Sequence, residues 1–128
     1  MTTRALSSIS SFAIPGIEHQ TLAGGRDGLG SIEVWRQTIA AGAATPVHRH
    51  DCEEVIICMK GAAVCHYNGA QYHFKEDETL VIPAGVTHQI CNDGDTELHI
   101  IATLAMAPVR VETAERQHMA LPWDGNNA

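Results

Sequence analysis

From Ser31 onward the chain alternates between apolar and polar positions. Ile32 and Val34 fall on one parity, and Trp35, Gln37 and Ile39 on the other. That pattern predicts a strand with two unlike faces. Residues 40–46 form a small-residue loop containing Gly42, residues 47–50 resume extended structure, and Asp51-Cys52-Glu53 reads as a turn. An apolar strand follows over 54–59 and is broken by Lys60-Gly61. Residues 62–67 and 71–74 flank Asn68-Gly69, a strong hairpin signal because both central residues of a type I′ turn need positive φ. Pairing across that turn places Ala62, Val64, His66, Gln71 and His73 on one face. Further strands are predicted over 79–82, 87–91 and 97–106, punctuated by Pro83-Ala84-Gly85 and Asn92-Asp93-Gly94. Residues 1–15 read as a loose arm, 24–30 as a turn-rich patch, and about 112–119 as one short helix in a tail that starts near 108. Eight or nine short strands at near-even spacing, with almost no helix, predict an all-β sandwich or barrel.

Composition narrows the function classes. With 128 residues the chain is the size of one domain, so a single core over 1–128 is expected. Eight basic against fifteen acidic residues give a net charge of −7, which argues against nucleic acid or an anionic membrane as partner. The first eleven residues hold four serines, two threonines and Arg4 but no apolar run, and no later apolar stretch is long enough to span a bilayer. Cys52, Cys58, Cys65 and Cys91 form no Cys-x-x-Cys pair and are expected to be reduced thiols. These features together lead us to expect a cytoplasmic protein.

The chemistry is concentrated after Gly42. His48 and His50 are two apart on an extended segment, so both side chains leave the same face, with Cα atoms about 6.6 Å apart. Two imidazoles can converge on one ion from there. Glu54 would lie roughly 13 Å beyond His50 on a straight strand. It reaches the same ion only if the chain turns at Asp51-Cys52-Glu53. His88, just after the bend at Pro83 and Gly85, supplies a fourth donor. Three imidazoles and a carboxylate suit zinc, iron, manganese, nickel or copper and match calcium poorly. The competing reading makes each histidine a surface residue or a core residue hydrogen-bonded to backbone. It is adopted here for His19, His66, His73, His99 and His118, which have no partner at ligand spacing. Trp35 reads as core, Tyr67, Tyr72 and Phe74 as core or interface, Trp123 as a tail anchor, and Glu53 as outward.

These residues carry a resemblance. Gly42-x5-His48-x-His50-x3-Glu54-x6-Gly61 is similar to the first motif of the cupin superfamily, and Asp77-x5-Pro83-x-Gly85-x2-His88-x3-Asn92 to the second. Asp77 stands where the family usually has glycine. The resemblance covers about residues 31–105 and implies a double-stranded β-helix (jelly-roll) barrel, usually a homodimer, with a divalent metal in its mouth. Residues 16–24, 33–38, 45–55 and the tail Leu121-Pro122-Trp123-Asp124 resemble more closely the plant auxin-binding proteins. That likeness implies zinc at His48, His50, Glu54 and His88. It implies an acid whose carboxylate sits on the metal near Gln37, and an aromatic ring near Trp123, with Thr45, Pro46, Ile17 and Ile56 at other pocket positions. The chain departs from those proteins in lacking cysteines near its termini, a glycosylation site and an endoplasmic-reticulum retention signal.

Three functions are consistent with this reading. The first is a metal cupin that holds a small carboxylate, such as an auxin-like aromatic acid. The second is a metal-dependent dioxygenase, isomerase or lyase acting on a small oxygenated substrate. The third is a protein in which the ion only stabilises the barrel.

Overall fold

A computed structural model describes residues 1–126, and within them the chain builds two antiparallel sheets. The strands are β1 (Ser11–Ile14), β2 (Ile17–Ala23), β3 (Glu33–Ile39), β4 (Glu54–Lys60), β5 (Ala62–Tyr67), β6 (Ala70–Lys75), β7 (Thr79–Ile82), β8 (Gln89–Cys91) and β9 (Leu98–Leu104). The larger sheet has the order β1-β2-β3-β9-β4-β7, and the smaller the order β6-β5-β8. Residues 44–48 extend the smaller sheet through bridges Ala44↔Cys91 and His48↔His88. The alternation read from the sequence survives in the larger sheet. Trp35, Gln37 and Ile39 of β3, Ile56 and Cys58 of β4, and Leu98, Ile100, Ala102 and Leu104 of β9 are all buried. Ala63, Cys65, Phe74 and Ile90 from the smaller sheet join the same hydrophobic cluster. Each fully buried Ile or Leu contributes about 1.5–3 kcal/mol relative to leaving it in water.

The turn chemistry acts as expected at two places. Asn68 (φ 51°) and Gly69 (φ 77°) form the hairpin turn, and His66↔Gln71 and Val64↔His73 pair in the anticipated register. Asp77 adopts φ 68°, the left-handed conformation that glycine would take, and its N–H donates to the Cys58 carbonyl at 3.0 Å. Aspartate tolerates that region better than most residues, so the departure from the motif leaves the turn intact.

Two expectations are corrected. The arm is not loose throughout, because β1 pairs with β2 across a turn at Pro15-Gly16 and lengthens the larger sheet. No helix forms over 112–119. There Glu112 exchanges both backbone hydrogen bonds with Arg49, at 2.9 and 3.0 Å, and the chain reverses so that Glu112 also bridges His118. A helix would need the Glu112 carbonyl for the N–H of Arg116. That carbonyl is already committed, and Arg116 sits at φ 65°. Of the three aromatics read as core or interface, Phe74 is buried in the core and Tyr67 and Tyr72 are exposed. No helix among the described residues is long and apolar enough to cross a membrane.

Candidate metal centre and its cavity

Strand pairing fixes the first two ligand positions. His48 and His88 exchange both backbone hydrogen bonds, at 3.0 and 2.8 Å, and so face each other across the ladder. The Arg49–Glu112 ladder holds the next residue, so His50 leaves the strand on the same face as His48. The chain then turns at residues 51–53 and enters β4, whose first residue, Glu54, is inward and 4% exposed. Arg49 is buried beside the site, paired with Glu112 and 3.5 Å from Asp51.

The side chains converge. One nitrogen from each of His48, His50 and His88 lies within 4.8 Å of the others. Glu54 Oε1 is 3.7 Å from His50 Nε2 and 3.6 Å from His88 Nε2. Donors around a single ion with bonds of about 2.0–2.2 Å sit roughly 3–4 Å apart, so the set closes on a metal with small side-chain adjustments.

Each imidazole is oriented by its other nitrogen. Nδ1–H of His48 donates to the Pro46 carbonyl at 2.7 Å, that of His50 to the Arg110 carbonyl at 3.1 Å, and that of His88 to the Val86 carbonyl at 2.8 Å. With Nδ1 protonated, Nε2 carries the lone pair, which is the tautomer that binds metal. His50 Nε2, His88 Nε2 and Glu54 Oε1 are buried and have no hydrogen-bond partner. Burial pushes the pKa of His48 down to about 3 and that of His50 to about 4, lowers that of His88, and pushes that of Glu54 up to about 8. Glu54 thus holds its proton at neutral pH, and a cation that displaces it would satisfy these buried, unpartnered nitrogen and oxygen atoms. The residues therefore fit a divalent ion.

One cavity opens onto this cluster. His48, Glu54 and His88 line it, and so do all six residues expected around the acid: Ile17, Gln37, Thr45, Pro46, Ile56 and Trp123. His50 does not line it and packs edge-on to Trp35, with ring centroids 5.7 Å apart. The cavity is small and its lining is mostly apolar. Thr45 Oγ1 accepts the Ile90 N–H at 3.0 Å, so this residue also stitches the wall. Trp123 is 3% exposed and turned inward, an anchor for the tail as well as a wall of the cavity. Cys52 lies in the core cluster, and burial raises its thiol to about 11, consistent with an inert packing role.

Two buried residues have partners that the sequence did not show. For His19 the hydrogen-bonded alternative holds. It is fully buried, stacked on Trp123 and bonded to Thr21 and Gln37. Its signal was the β2–β3 register, which sets it directly opposite Gln37. Glu33 is also fully buried, and its carboxylate accepts the indole N–H of Trp35 and, at 3.3 Å, the backbone N–H of Val109. A charged residue on the inward parity of β3 was the available clue.

Known proteins share these features. The family model described as auxin binding protein matches residues 3–123. The chain belongs to the auxin-binding protein family. Auxin-binding protein T85 of Nicotiana tabacum is 35% identical over 75% of this chain and 58% of its own length. Auxin-binding protein 1 of Arabidopsis thaliana is 31% identical over 86% of this chain and 65% of its own length. The chain thus spans about three fifths of the curated relatives it matches. Among solved structures, a cupin 2 conserved barrel domain protein from Salinispora arenicola superposes with a TM-score of 0.70 at 24% identity, covering 82% of this chain and 88% of that one. The fold of this family member is that of the cupin superfamily.

Proposed function

We propose that the protein binds a small carboxylate at a divalent ion held by His48, His50, His88 and Glu54. The observation that carries this reading is the trio of buried, unpartnered atoms, His50 Nε2, His88 Nε2 and Glu54 Oε1, beside a mostly apolar cavity. The ion, when bound, supplies positive charge for an exogenous carboxylate oxygen. Zinc is the metal we expect, and the donor set also suits iron, manganese, nickel or copper. Gln37 uses one amide N–H on His19, which leaves the second to donate to the acid. Ile17, Ile56, Thr45, Pro46 and Trp123 would surround the rest of the molecule. The relatives' names point to auxin-like aromatic acids as the first class to test. Outward-facing Val55, Ile57, Met59 and Val81 on β4 and β7 are exposed apolar residues that support a homodimer.

The test is a calorimetric titration of indole-3-acetate into zinc-loaded protein, with the metal-free form as control. Zinc-dependent binding in the micromolar range, about −8 kcal/mol, supports the reading. Heat in neither form removes the aromatic acid. The donor set carries a second reading, in which a redox metal turns over a small oxygenated substrate. Oxygen uptake by an iron-loaded sample would support it.

A further inference from the structure

His19 stands behind the cavity wall and reaches the cavity only through a neighbour. It is fully buried and does not line the cavity, whereas Gln37, directly opposite it across the β2–β3 ladder, does. Cross-strand neighbours share a face, so the two side chains meet. Gln37 Nε2 and His19 Nδ1 are 3.0 Å apart. On its other side His19 Nε2 is 2.7 Å from Oγ1 of Thr21, which lies two residues on and therefore on the same face of β2. A buried polar chain thus runs from Thr21 through His19 to Gln37.

The chemistry of the three groups sets the direction of both bonds. An amide nitrogen only donates, so His19 Nδ1 accepts from Gln37. Burial pushes the pKa of His19 down to about 3, so the imidazole is neutral and carries one N–H. That N–H sits on Nε2 and donates to the Thr21 hydroxyl. The ring is also held by its packing. It stacks on Trp123, with centroids 3.8 Å and planes 6° apart, and meets Trp35 edge-on at 4.9 Å. His19 is therefore a fixed acceptor. What it holds would otherwise be free to turn, because the last torsion of a glutamine is broad and lets carbonyl and NH₂ exchange places. Toward the oxygens of a carboxylate the two ends act oppositely: an N–H donates, and a carbonyl repels. With one N–H fastened to His19, the Gln37 amide cannot make that exchange without breaking a buried hydrogen bond.

We infer that His19 is a positioning residue for the bound acid: its Nδ1, opposite the N–H given to Thr21, holds the Gln37 amide in one orientation and so presets the remaining N–H that the carboxylate uses. This inference rests on the carboxylate reading above. His19 touches neither the acid nor the ion. It acts through Gln37, by removing the cost of immobilising one side chain when the acid arrives.

The experiment is a double-mutant cycle. Indole-3-acetate and butanoate, which have little in common beyond the carboxylate end, are each titrated calorimetrically into zinc-loaded wild type, His19→Phe, Gln37→Met and the double variant, with the zinc content of each sample verified. His19→Phe keeps a ring between the two tryptophans and loses the acceptor. It is expected to weaken each acid that binds by about fivefold, and to cause no further loss when Gln37 is already methionine. A packing role for His19 would cost the same in both backgrounds. A second measurement needs neither variant nor acid. In nitrogen-15 spectra of wild type, His19 should carry its proton on Nε2 and none on Nδ1, with a coupling across the hydrogen bond from the Gln37 side-chain N–H to Nδ1. Unchanged affinity in His19→Phe, a loss that persists in the Gln37→Met background, or a proton on Nδ1 overturns the inference and leaves the carboxylate reading standing. Binding of neither acid to zinc-loaded wild type overturns both.

Discussion

Replacing Glu54 with glutamine separates a metal ligand from an ordinary core residue. The two side chains have nearly the same shape, so packing is held constant. Glu54 is 4% exposed, and burial pushes its pKa from 4.5 up to about 8. A group whose folded pKa is raised contributes stability that is fully present below the unfolded pKa and is lost as pH rises toward the folded value. For Glu54 that loss runs from 4.5 to about 8. At pH 7 roughly two and a half pH units of it have been crossed, which at about 1.4 kcal/mol per unit is on the order of 3 kcal/mol. Glutamine has no charge to desolvate. Metal-free Glu54→Gln is therefore expected to be more stable than wild type at pH 7, by up to that amount, and to lack the decline across the window. With saturating zinc that advantage shrinks to about zero, because the amide is a poorer ligand than the carboxylate. A hundredfold loss of zinc affinity removes about 2.7 kcal/mol of the stabilisation that binding confers. Urea unfolding at pH 7, with chelator and then with saturating zinc, measures both differences. Destabilisation by the same amount in both conditions would refute the reasoning, since it would make Glu54 a structural hydrogen-bonding group and not a ligand.

Other predictions follow from the same geometry. Replacing His48 and His50 together with alanine should abolish zinc retention by elemental analysis, and stoichiometric zinc in that variant would sink the site. Arg49→Ala removes a buried guanidinium from Glu112 and should lower stability by about 3 kcal/mol in chemical unfolding; a change under about 1 kcal/mol would show the pair to be idle. Val55→Glu combined with Met59→Glu places charge on the outward face of β4 and should yield monomers in sedimentation experiments. A wild type already monomeric at the same concentration would remove the dimer.

The convergence of His48, His50, His88 and Glu54 was legible because a shared ligand would need few residue types at constrained intervals. Two histidines on alternate positions of an extended chain share a face, and Glu54 could reach them only through a turn. The structure places that turn at residues 51–53 and brings Glu54 Oε1 to 3.7 Å from His50 Nε2. The tail was not legible, because its competitor lies far away in the chain. Glu112, Ala114, Glu115 and Arg116 suit a helix locally, yet the Glu112 backbone is taken by Arg49. Nothing within 112–119 announces that partner. The same distance hid His19. Its spacing offers no second ligand, and its stacking partner Trp123 comes from the other end of the chain. β1 escaped for a different reason. Four residues are too few to show alternation, and the strand exists because β2 offers an edge to pair with.

Asp77 shows what a departure from a pattern means physically. The motif position asks for a positive φ, and aspartate meets that request at 68°. A pattern position of this kind constrains backbone conformation more strongly than residue identity. The candidate ligand positions constrain chemistry instead: an amide in place of Glu54 leaves the backbone free to adopt its path and weakens the donor, and an alanine in place of His48 removes it. Separate measurements follow from that difference. Asp77→Gly should leave both zinc retention and unfolding almost unchanged, or stabilise slightly, since glycine adopts this φ without strain but gains freedom in the unfolded chain. A loss of zinc in Asp77→Gly would mean that the Asp77 carboxylate, and not its backbone, supports the site.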